Sequence, residues 1–539
     1  MTAEDVIDNK TLFSNFEEVP TPIECDVKGT IPSWLHGALM RQGTGMFDFG
    51  NTTYNHWFDG LAYFQKYTFN DGKMTYMAKF LKGNSYTENT NANRIVVTEF
   101  GTASFPDPCK NIFSKFFNAF TTTEFESDNC NVNFLKVGDK IYATSEFPRI
   151  REIDATNLDT LELVNVDKYV ALHSNTAHQQ YDQEGNVYNI GSNFGKNGSF
   201  IFTKVPNPNL DKSKESNGFD STETIGTIKL INSAKPPYYH SFGMTENYMV
   251  LIETPLRINV MQLLTRKVTG KAFRDTFEFL EDTLNVIHIL DKRTGTKIGL
   301  KVQSDVFFAF HHANSYEDGD YLVLDFCSMK KPSTLEGLSV EQMRSDNIFG
   351  ENDDFRSYLH RMVVPLTIPD DAKEGDDLLK NYHNKKRITC TAVLTQDGKV
   401  HLSPEKICTV PFEFPQINYA INTKNYKYCY GAVIQKDEPD NSAIVKANTT
   451  NNTFISWKKD KKSFFPTEPI FVAKPGSTEE DDGVLIVPII TNLKQGDLSF
   501  VVILDAKDLS EVARCYIPKQ LPMGFHSMYL GGDLAFSKQ

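Results

Sequence analysis

The chain has 539 residues, 40% of them hydrophobic, and a formal net charge of −13. A net-acidic chain without a dense basic run is a poor nucleic-acid binder, because affinity for phosphates depends on clustered Lys and Arg. No segment of the sequence approaches the ~20 consecutive apolar residues of a membrane-spanning helix. The acidic N-terminal stretch lacks the character of a signal or transit peptide, so we expect a globular protein in the cytoplasm. The 40 Phe residues supply apolar volume for a large core or for the lining of an apolar tunnel.

From the N-terminus onward, the sequence consists of short apolar segments separated by turn signals. Asp-Gly and Asn-Gly steps, such as Asp71-Gly72 and Asn197-Gly198, favour tight hairpins because Gly and Asn tolerate positive φ. Strands of this length and spacing predict an all-β sandwich, barrel or propeller.

Three segments share one scheme that favours the propeller among these folds. In residues 151–164, 287–299 and 501–513, an apolar strand ends at an Asp, which is followed by a polar turn and a second strand. Such a repeated hairpin is typical of propeller blades. The period is irregular, so the number of blades does not follow from it.

Helices are predicted in only two places, 111–120 and 339–347. In segment 105–120, an apolar helical face is flanked by Lys110 and Lys115 and is formed by Ile112, Phe113, Phe116, Phe117 and Phe120. The pattern fits a core helix and a helix in a bilayer surface equally well. Segment 255–267 is again apolar with basic neighbours, and two such segments favour a membrane-contacting patch.

Four of the twelve histidines occur next to turn signals, and three of these four directly follow an aromatic residue: His178, His240, His311 and His526. A propeller brings strand ends from different blades to one axis, which could gather them around a metal. Their spacing matches no metal-binding motif, and a single His is more often structural than a ligand. Spacing alone therefore does not decide whether these histidines bind a metal.

Several long stretches identify a family. They include YNHWFDGLAYFQKY (54–67), NRIVVTEFGT (93–102), YYHSFGMTENY (238–248), HHANSYED (311–318), FEFPQINY (412–419) and EPIFVAKPGSTEEDDGV (468–484). The chain resembles the carotenoid cleavage oxygenases over nearly its whole length, in the animal branch of β-carotene oxygenases and the retinoid isomerohydrolase. KVTGKAFRD (267–275) and YYHSFGMTENY are most similar to the eccentric-cleaving β-carotene oxygenase.

The resemblance implies an all-β fold, a seven-bladed β-propeller with a few helices and loops capping the active-site face, as one domain over residues 1–539. It places an Fe(II) ion on His178, His240, His311 and His526. His311 rather than His312 fits the family pattern of His, Asn314, Tyr316 and Glu317. Glutamates Glu146, Glu413 and Glu468 are expected behind three of the ligands, while the resemblance supplies no carboxylate for His178.

The implied substrates are a carotenoid or apocarotenoid and O2, which would use the positions left open on the iron. A polyene chain has no polar group that a protein could bind, so its selection depends on cavity shape and aromatic contacts. The resemblance suggests a set of aromatic wall residues: Phe58, Tyr238, Phe310, Phe414 and Phe525. Eccentric cleavage to aldehydes is the favoured reaction. Central 15,15' cleavage, retinyl-ester isomerohydrolysis and carotenoid binding without catalysis are the alternatives.

The resemblance also implies that the cavity mouth faces a membrane. Cys109 matches a position that is palmitoylated in the visual-cycle relative, although an unmodified Cys109 fits equally well. The chain departs from the family pattern where Thr44 replaces Pro, Ser145 replaces Thr and Ser527 replaces Gly. These departures change none of the four implied iron ligands. They do mean that the sequence does not decide to which subfamily the chain belongs.

Overall fold

The computed structural model describes residues 9–105, 127–210, 218–345, 356–384, 386–434, 441–493 and 496–532. Strands are its main elements. In chain order they are β1 (Val19–Glu24), β2 (Asp26–Gly29), β3 (Gly37–Thr44), β4 (Asp48–Phe49), β5 (Thr52–Thr53), β6 (Ala62–Asn70), β7 (Lys73–Phe80), β8 (Asn133–Val137), β9 (Lys140–Thr144), β10 (Arg149–Ile153), β11 (Thr160–Asn165), β12 (Ser174–Asn175), β13 (Gln180–Tyr181), β14 (Val187–Asn193), β15 (Ser199–Val205), β16 (Glu223–Lys229), β17 (Gly243–Met244), β18 (Tyr248–Glu253), β19 (Leu256–Ile258), β20 (Phe277–Phe279), β21 (Asn285–Asp291), β22 (Thr296–Lys297), β23 (Val302–Ser304), β24 (Phe308–Asp318), β25 (Tyr321–Met329), β26 (Tyr358–Pro365), β27 (Thr391–Leu394), β28 (Val400–Ser403), β29 (Glu405–Lys406), β30 (Glu413–Gln416), β31 (Tyr428–Ala432), β32 (Ser442–Asn448), β33 (Thr453–Lys458), β34 (Phe465–Pro466), β35 (Ile470–Ala473), β36 (Gly483–Ile490), β37 (Ser499–Asp505), β38 (Glu511–Ile517) and β39 (Gly524–Gly531).

The strands form an all-β propeller, as predicted. Several sheets are plain antiparallel meanders, for example β11-β10-β9-β8 and β30-β31-β32-β33. The two ends of the chain are interlocked, because β39 pairs with β3 in the first sheet and β2 pairs with β38 in the last. This pairing fixes β39, which carries His526, through backbone hydrogen bonds along its length.

The predicted number of seven blades is wrong, because the propeller has six. The described residues form seven sheets of four or more strands, and the largest of these contains a parallel pair. In that sheet, β23 pairs in parallel with β28, so strands from 243–304 and 391–403 merge into seven strands. The sequence pattern carries no signal for this long-range pairing, since each segment alone has the periodicity of an ordinary hairpin.

The repeated strand–Asp–turn–strand scheme forms three hairpins, β10/β11, β21/β22 and β37/β38. In each hairpin, the Asp Oδ1 atom accepts a hydrogen bond from the backbone N–H two residues later, at 2.8 Å for Asp154, Asp291 and Asp505. This local bond closes the turn and explains why an Asp stands at or directly after the end of each first strand.

Helices are few. The α-helices of the described residues are α1 (Asn84–Ala92), α2 (Val260–Thr269), α3 (Thr334–Gly337), α4 (Val340–Met343) and α5 (Lys380–His383), and the 3-10 turns are Asn9–Phe13, Trp57–Asp59, Val166–Lys168, Pro208–Leu210, Phe219–Ser221, Arg274–Thr276 and Tyr419–Ile421. The helix predicted over 339–347 is the single turn α4, whereas the one predicted over 111–120 lies outside the described residues. No helix of the described part is long and apolar enough to cross a membrane.

The Phe residues serve two purposes. Phe13, Phe47, Phe64 and Phe69 are fully buried in the core between sheets. Others line a mainly apolar cavity, which is described below. The high Phe content therefore reflects both a core and a cavity lining, the two uses that the composition left open.

Candidate metal centre

Four histidines from four separate parts of the chain converge in one place, and three of them line a cavity. The ligand-capable nitrogens of His178, His240, His311 and His526 all lie within 4.8 Å of one another. Nε2 of His178 is 2.9 Å from Nε2 of His240, and Nε2 of His311 is 3.2 Å from Nε2 of His526. These are the four histidines that the sequence singled out.

The histidines reach this position from different kinds of backbone. His178 lies between the short strands β12 and β13, and His240 precedes β17, so both are on irregular segments at strand ends. His311 and His526 lie within β24 and β39. The register of β24 against β25 shifts on both sides of His312. Such an irregularity changes the direction in which a side chain points, and it is common next to functional sites.

His311 and its neighbour His312 point to different surroundings. His311 joins the cluster, whereas the Nδ1 atom of His312 lies 2.8 Å from the Ser241 hydroxyl. Burial lowers the pKa of His312 to about 3, so its ring is neutral. This placement agrees with the family pattern that selected His311.

Each of three cluster histidines is held by a glutamate on the far side of its ring. Nδ1 of His240 donates to Glu146 at 2.6 Å, Nδ1 of His311 to Glu413 at 2.6 Å, and Nδ1 of His526 to Glu468 at 3.0 Å. A carboxylate can only accept, so the ring proton is on Nδ1 and the Nε2 lone pair faces the centre. These are the three glutamates expected from the sequence.

His178 differs from the other three, because no described carboxylate contacts its ring. Burial and then the neighbouring imidazoles hold the pKa of His178 well below its ordinary value. Burial also lowers the pKa of His311 to about 4, although Glu413 opposes the shift. Both rings are therefore neutral near pH 7, which is the form that binds a metal.

Three further residues orient the glutamates, and sequence reasoning did not find these contacts. The Tyr238 hydroxyl donates to Glu146 at 2.7 Å. Gln416 Nε2 donates to Glu468 at 2.8 Å, and the backbone N–H of Ser527 donates to the same carboxylate at 2.6 Å. Gln416 ends the stretch FEFPQ, so its place in that family-like stretch is the only sequence signal that could have suggested it.

The backbone of Phe414 is strained beside the histidine cluster. Its φ is +52°, a value that a bulky side chain rarely adopts. Its N–H donates to Glu413 at 3.0 Å, and its ring lies 5.5 Å from His311 and 5.4 Å from His526. The strain therefore occurs where one residue contacts a glutamate and two histidines.

The arrangement fits a metal ion. His311 and His526 each give their Nδ1 proton to a glutamate, so two bare lone pairs face each other across 3.2 Å. Two lone pairs repel unless a cation lies between them. Imidazole nitrogens suit Fe, Zn, Cu and Ni, so the donor set alone admits several transition metals.

The cavity beside the histidines is lined mainly by apolar groups. Each of the aromatic residues proposed from the sequence lines it: Phe58, Tyr238, Phe310, Phe414 and Phe525. Rings continue away from the histidines, since Phe525 lies 5.3 Å from Phe58 and Phe58 lies 5.7 Å from Phe100. The cavity therefore offers an apolar molecule an aromatic lining beside the histidine cluster.

Comparison with known proteins shows to which family the chain belongs. The family model of the retinal pigment epithelial membrane protein matches residues 12–531. The chain belongs to this carotenoid oxygenase family. The matched range includes the four histidines and the three glutamates behind them.

Curated members of the carotenoid oxygenase family are similar to the chain over nearly its full length. The β,β-carotene 15,15'-dioxygenase of Gallus gallus is 37% identical over 97% of this chain and 98% of its own. The mitochondrial carotenoid-cleaving dioxygenase of Pongo abelii is 35% identical over 96% of this chain and 94% of its own. The animal branch expected from the sequence is confirmed.

Solved structures of the carotenoid oxygenase family share the fold. A variant of Synechocystis apocarotenoid oxygenase has a TM-score of 0.74 and 20% identity, covering 97% of this chain and 98% of its own. The cobalt-substituted form of that protein also has a TM-score of 0.74, at 19% identity, covering 97% of this chain and 99% of its own. At this level of identity the likeness establishes the propeller fold.

Proposed function

We propose that the chain is a non-haem Fe(II) dioxygenase that cleaves a conjugated double bond of a carotenoid or apocarotenoid to aldehydes. The observation that carries the proposal is the four-histidine cluster beside a cavity that is lined by aromatic residues. Relatives named as carotene dioxygenases over the full length of the chain support the same reaction.

In this proposal, His178, His240, His311 and His526 hold the iron, which when bound supplies the activation of O2. Glu146, Glu413 and Glu468 fix three of the rings with Nε2 toward the metal. Tyr238 and Gln416 in turn fix two of these carboxylates. The protein thus prepares the metal site before substrate enters.

The aromatic residues of the cavity position the polyene. Phe58, Phe310, Phe414 and Phe525 present ring faces and edges to the space beside the histidines. Such rings exclude water and can stabilise cationic character on a polyene. They also make cavity shape the main determinant of which double bond reaches the metal.

For the bond that is cleaved, we propose an eccentric position of the 9',10' type. Relatives named for central 15,15' cleavage and for carotenoid cleavage in general are almost equally similar, at 37% and 35% identity. Overall sequence identity therefore does not decide between central and eccentric cleavage. The stretches 238–248 and 267–275 favour the eccentric type, and they are close to the cavity through Tyr238 and Phe273.

We further propose peripheral attachment to a membrane from the cytoplasmic side. Met261, Leu264 and Val268 are 66%, 70% and 52% exposed on α2, at the spacing of one helical face. Ile231, 65% exposed, lies on the adjoining loop, because the N–H of Val260 bonds to Ala234 at 3.1 Å. Exposed apolar groups in one place are typical of a membrane or protein contact.

The other predicted contact segment, 105–120, lies almost wholly outside the described residues, as does Cys109. A membrane helix there and acylation of Cys109 stay proposals. A single acyl chain anchors a protein only weakly, so it would act together with α2. One domain over residues 1–539 is also proposed, and the pairing of β39 with β3 supports it.

Product analysis tests the proposed function. The Fe(II)-loaded protein is incubated with β-carotene, lutein and lycopene, and with a retinyl ester, and products are identified by mass and retention while O2 uptake is recorded. Apocarotenal with O2 uptake is expected, and retinal alone would assign the central bond. Release of 11-cis-retinol from the ester without O2 uptake would show that the protein is an isomerohydrolase and not a dioxygenase. A His240→Ala variant is the control and should produce nothing.

A further inference from the structure

Among the four cluster histidines, His178 is the one whose ring contacts no described glutamate, so its position must be set in another way. The strands on either side of it, β12 and β13, have only two residues each. Just before His178, the carbonyl of Thr176 accepts from the Asn189 amide at 3.0 Å. The carbonyl of Ala177 accepts from the Asn133 amide at 2.9 Å. The N-terminal side of this segment is therefore fixed through its backbone.

The residues after His178 are held by a distant part of the chain, the 3-10 turn Tyr419–Ile421 and the residue that follows it. The Asn422 amide donates to Oε1 of Gln180 at 3.2 Å and to the carbonyl of Tyr181 at 3.3 Å. The Tyr419 hydroxyl donates to the same Gln180 atom at 3.3 Å and accepts from the N–H of Tyr181 at 3.1 Å. Gln180 and Tyr419 are 239 residues apart in the chain, so these bonds join two blades of the propeller.

Asn422 is placed to make these bonds and no others of equal number. It is 4% exposed, and its backbone N–H bonds to the carbonyl of Tyr419 at 3.1 Å, at the end of the 3-10 turn. A backbone carbonyl can only accept, so the amide nitrogen of Asn422 must face Tyr181. Removal of this amide would leave buried acceptors without a donor, which is costly.

The turn is also anchored to β24, the strand that carries His311. Asn314, 4% exposed and three residues after His311, accepts from the N–H of Thr423 at 3.0 Å through Oδ1. Its Nδ2 atom donates to the carbonyl of Lys424 at 3.0 Å. Thr423 has a φ of +68°, a left-handed conformation that these contacts help to maintain. The turn is therefore fixed relative to one of the strands that bear a cluster histidine.

The turn belongs to a continuous stretch, residues 413–424, which also contains two side chains of the candidate metal centre. Glu413 holds the ring of His311. Gln416 bonds to the carboxylate that holds the ring of His526. The far end of the stretch reaches the segment of the remaining, carboxylate-free histidine. One piece of chain thus sets the positions of three of the four histidines relative to one another.

We propose that Asn422 and Tyr419 are positioning residues for His178, in place of the glutamate that orients each of the other three rings. The proposal rests on the proposed function, because it assumes a metal on the four histidines, and it deepens that function by naming the residues behind the fourth ligand. They fix the backbone at Tyr181, three residues after His178, and so the distance of its ring from the other nitrogens. His178 is then the ligand that moves first when this hold is lost.

Metal affinity tests the positioning role. The full-length protein competes with a chelator for Co(II), and the dissociation constant is compared among variants. Asn422→Ala should weaken Co(II) binding about tenfold, the lower end of the range for residues that orient a ligand. Tyr419→Phe removes only a hydroxyl from a ring that is 46% exposed, so it should fold normally and weaken binding by a smaller factor.

The matched control is Asn285→Ala. Asn285 is also buried, and its amide donates to a backbone carbonyl, that of Asp305, at 3.0 Å. It lies on β21 and does not contact the segment of His178. Its loss should lower stability in urea unfolding and leave the affinity for Co(II) unchanged. An equal loss of affinity in the Asn422 and Asn285 variants would overturn the proposal.

A double variant separates positioning of His178 from a general structural role. In His178→Ala, the other three histidines form a weaker site, since three histidines suffice to hold a metal in some enzymes. Asn422→Ala added to this protein should change Co(II) affinity less than about twofold, because its effect passes through the missing ring. The same loss in both backgrounds, or no loss in the four-histidine protein, would overturn the proposal. If Asn422→Ala does not fold, Tyr419→Phe is used for the same comparison.

The metal readout also distinguishes this proposal from the proposed reaction. If the wild-type protein binds Co(II) and the variants respond as expected, but the Fe(II) form cleaves no polyene, then the positioning role stands and the proposed reaction fails. A wild-type protein that binds no Co(II) would overturn the positioning role together with the metal centre.

Discussion

The Nε2 atoms of His311 and His526 lie 3.2 Å apart, although each ring gives its other proton to a glutamate. The protein thus uses two buried carboxylates to direct two lone pairs at one point. Glu413 is itself affected: burial raises its pKa, but His311 and the N–H of Phe414 more than offset this, so the pKa lies below its ordinary value. The carboxylates are therefore as much a part of the proposed metal site as the rings.

Replacement of Glu413 by Gln should weaken metal binding without changing the ligands. The Gln side chain has the same shape but no charge to hold the Nδ1 proton of His311, so the ring loses basicity and orientation. We expect metal affinity to fall about 10- to 100-fold, as is typical for partners of metal-bound histidines. Competition for Co(II) or Fe(II) with a chelator measures this directly.

The matched control for this change is Glu405→Gln. Glu405 is another buried glutamate, 4% exposed, but it bonds to Thr389 and not to the histidine cluster. Its loss should lower stability and leave metal affinity unchanged. Equal metal affinity in the Glu413 and Glu405 variants would contradict the role of Glu413.

The two adjacent histidines of β24 should respond differently to alanine. His311→Ala removes one of four converging nitrogens and should abolish stoichiometric metal binding. His312→Ala removes a ring that bonds to Ser241, so it should lower the free energy of unfolding by about 1–3 kcal/mol. Metal content after dialysis and urea unfolding distinguish them. A metal-free His312→Ala protein that is otherwise folded would refute the assignment.

Much of the fold could be predicted from local sequence, because turn signals and alternating strands act over a few residues. The hairpins closed by Asp154, Asp291 and Asp505 are of this kind. The parallel pairing of β23 with β28 could not be predicted, because it joins segments that lie about a hundred residues apart in the chain.

The candidate metal centre could be predicted from the sequence only through the family resemblance. The gaps between the four histidines are set by the lengths of whole sheets, which no motif encodes. The contacts of Tyr238 with Glu146 and of Gln416 with Glu468 were missed, because they depend on side-chain directions at strand ends. The irregular register around His312 is a further property of pairing, since it depends on β25 as well as β24.

Gly524 is required by close packing beside His526. A Cβ atom at this position would lie 2.5 Å from the carbonyl oxygen of Gln42 and 2.8 Å from the guanidinium carbon of Arg41, a fully buried residue. Gly524→Ala must therefore shift β39 or Arg41. We expect a loss of about 1–3 kcal/mol in the free energy of unfolding, together with weaker metal binding, because β39 carries His526.

Gly531 provides the control for Gly524 within the same strand. A Cβ atom there meets no atom closer than 3.8 Å, in the ring of Tyr529. Gly531→Ala should therefore match the wild-type protein in urea unfolding and in metal content. If the two alanine variants behave alike, close packing at Gly524 is not what holds His526 in place.

His56 makes stability depend on pH in the acidic range. Its Nε2 atom bonds to the carbonyl of Leu335 at 2.8 Å, its Nδ1 atom accepts from the N–H of Phe58, and burial lowers its pKa from 6.5 to about 3. Between these two values the unfolded chain binds a proton that the folded chain does not. The contribution of His56 is thus fully present above pH 6.5 and is lost as the pH falls toward 3.

The variant His56→Gln isolates this effect. Urea unfolding of both proteins is measured at about pH 4.5, 5.5 and 6.5, within the window in which only the unfolded chain is protonated. The stability difference between wild type and variant should shrink by about 1.4 kcal/mol per pH unit on acidification, since one proton is linked to unfolding. A pH-independent difference would mean that His56 does not stay neutral in the folded protein.

The apolar face of α2 should determine binding to lipid vesicles. Met261 and Leu264 are 66% and 70% exposed, and insertion of each side chain into a bilayer surface contributes about 1–2 kcal/mol. The double variant Met261→Glu with Leu264→Glu should therefore reduce the vesicle-bound fraction at least about tenfold in sedimentation. The control is Leu161→Glu with Leu210→Glu, which makes the same charge change at exposed leucines outside α2, 45% and 62% exposed. An equal loss in both double variants would attribute the effect to net charge, and α2 would then have no special role at the membrane.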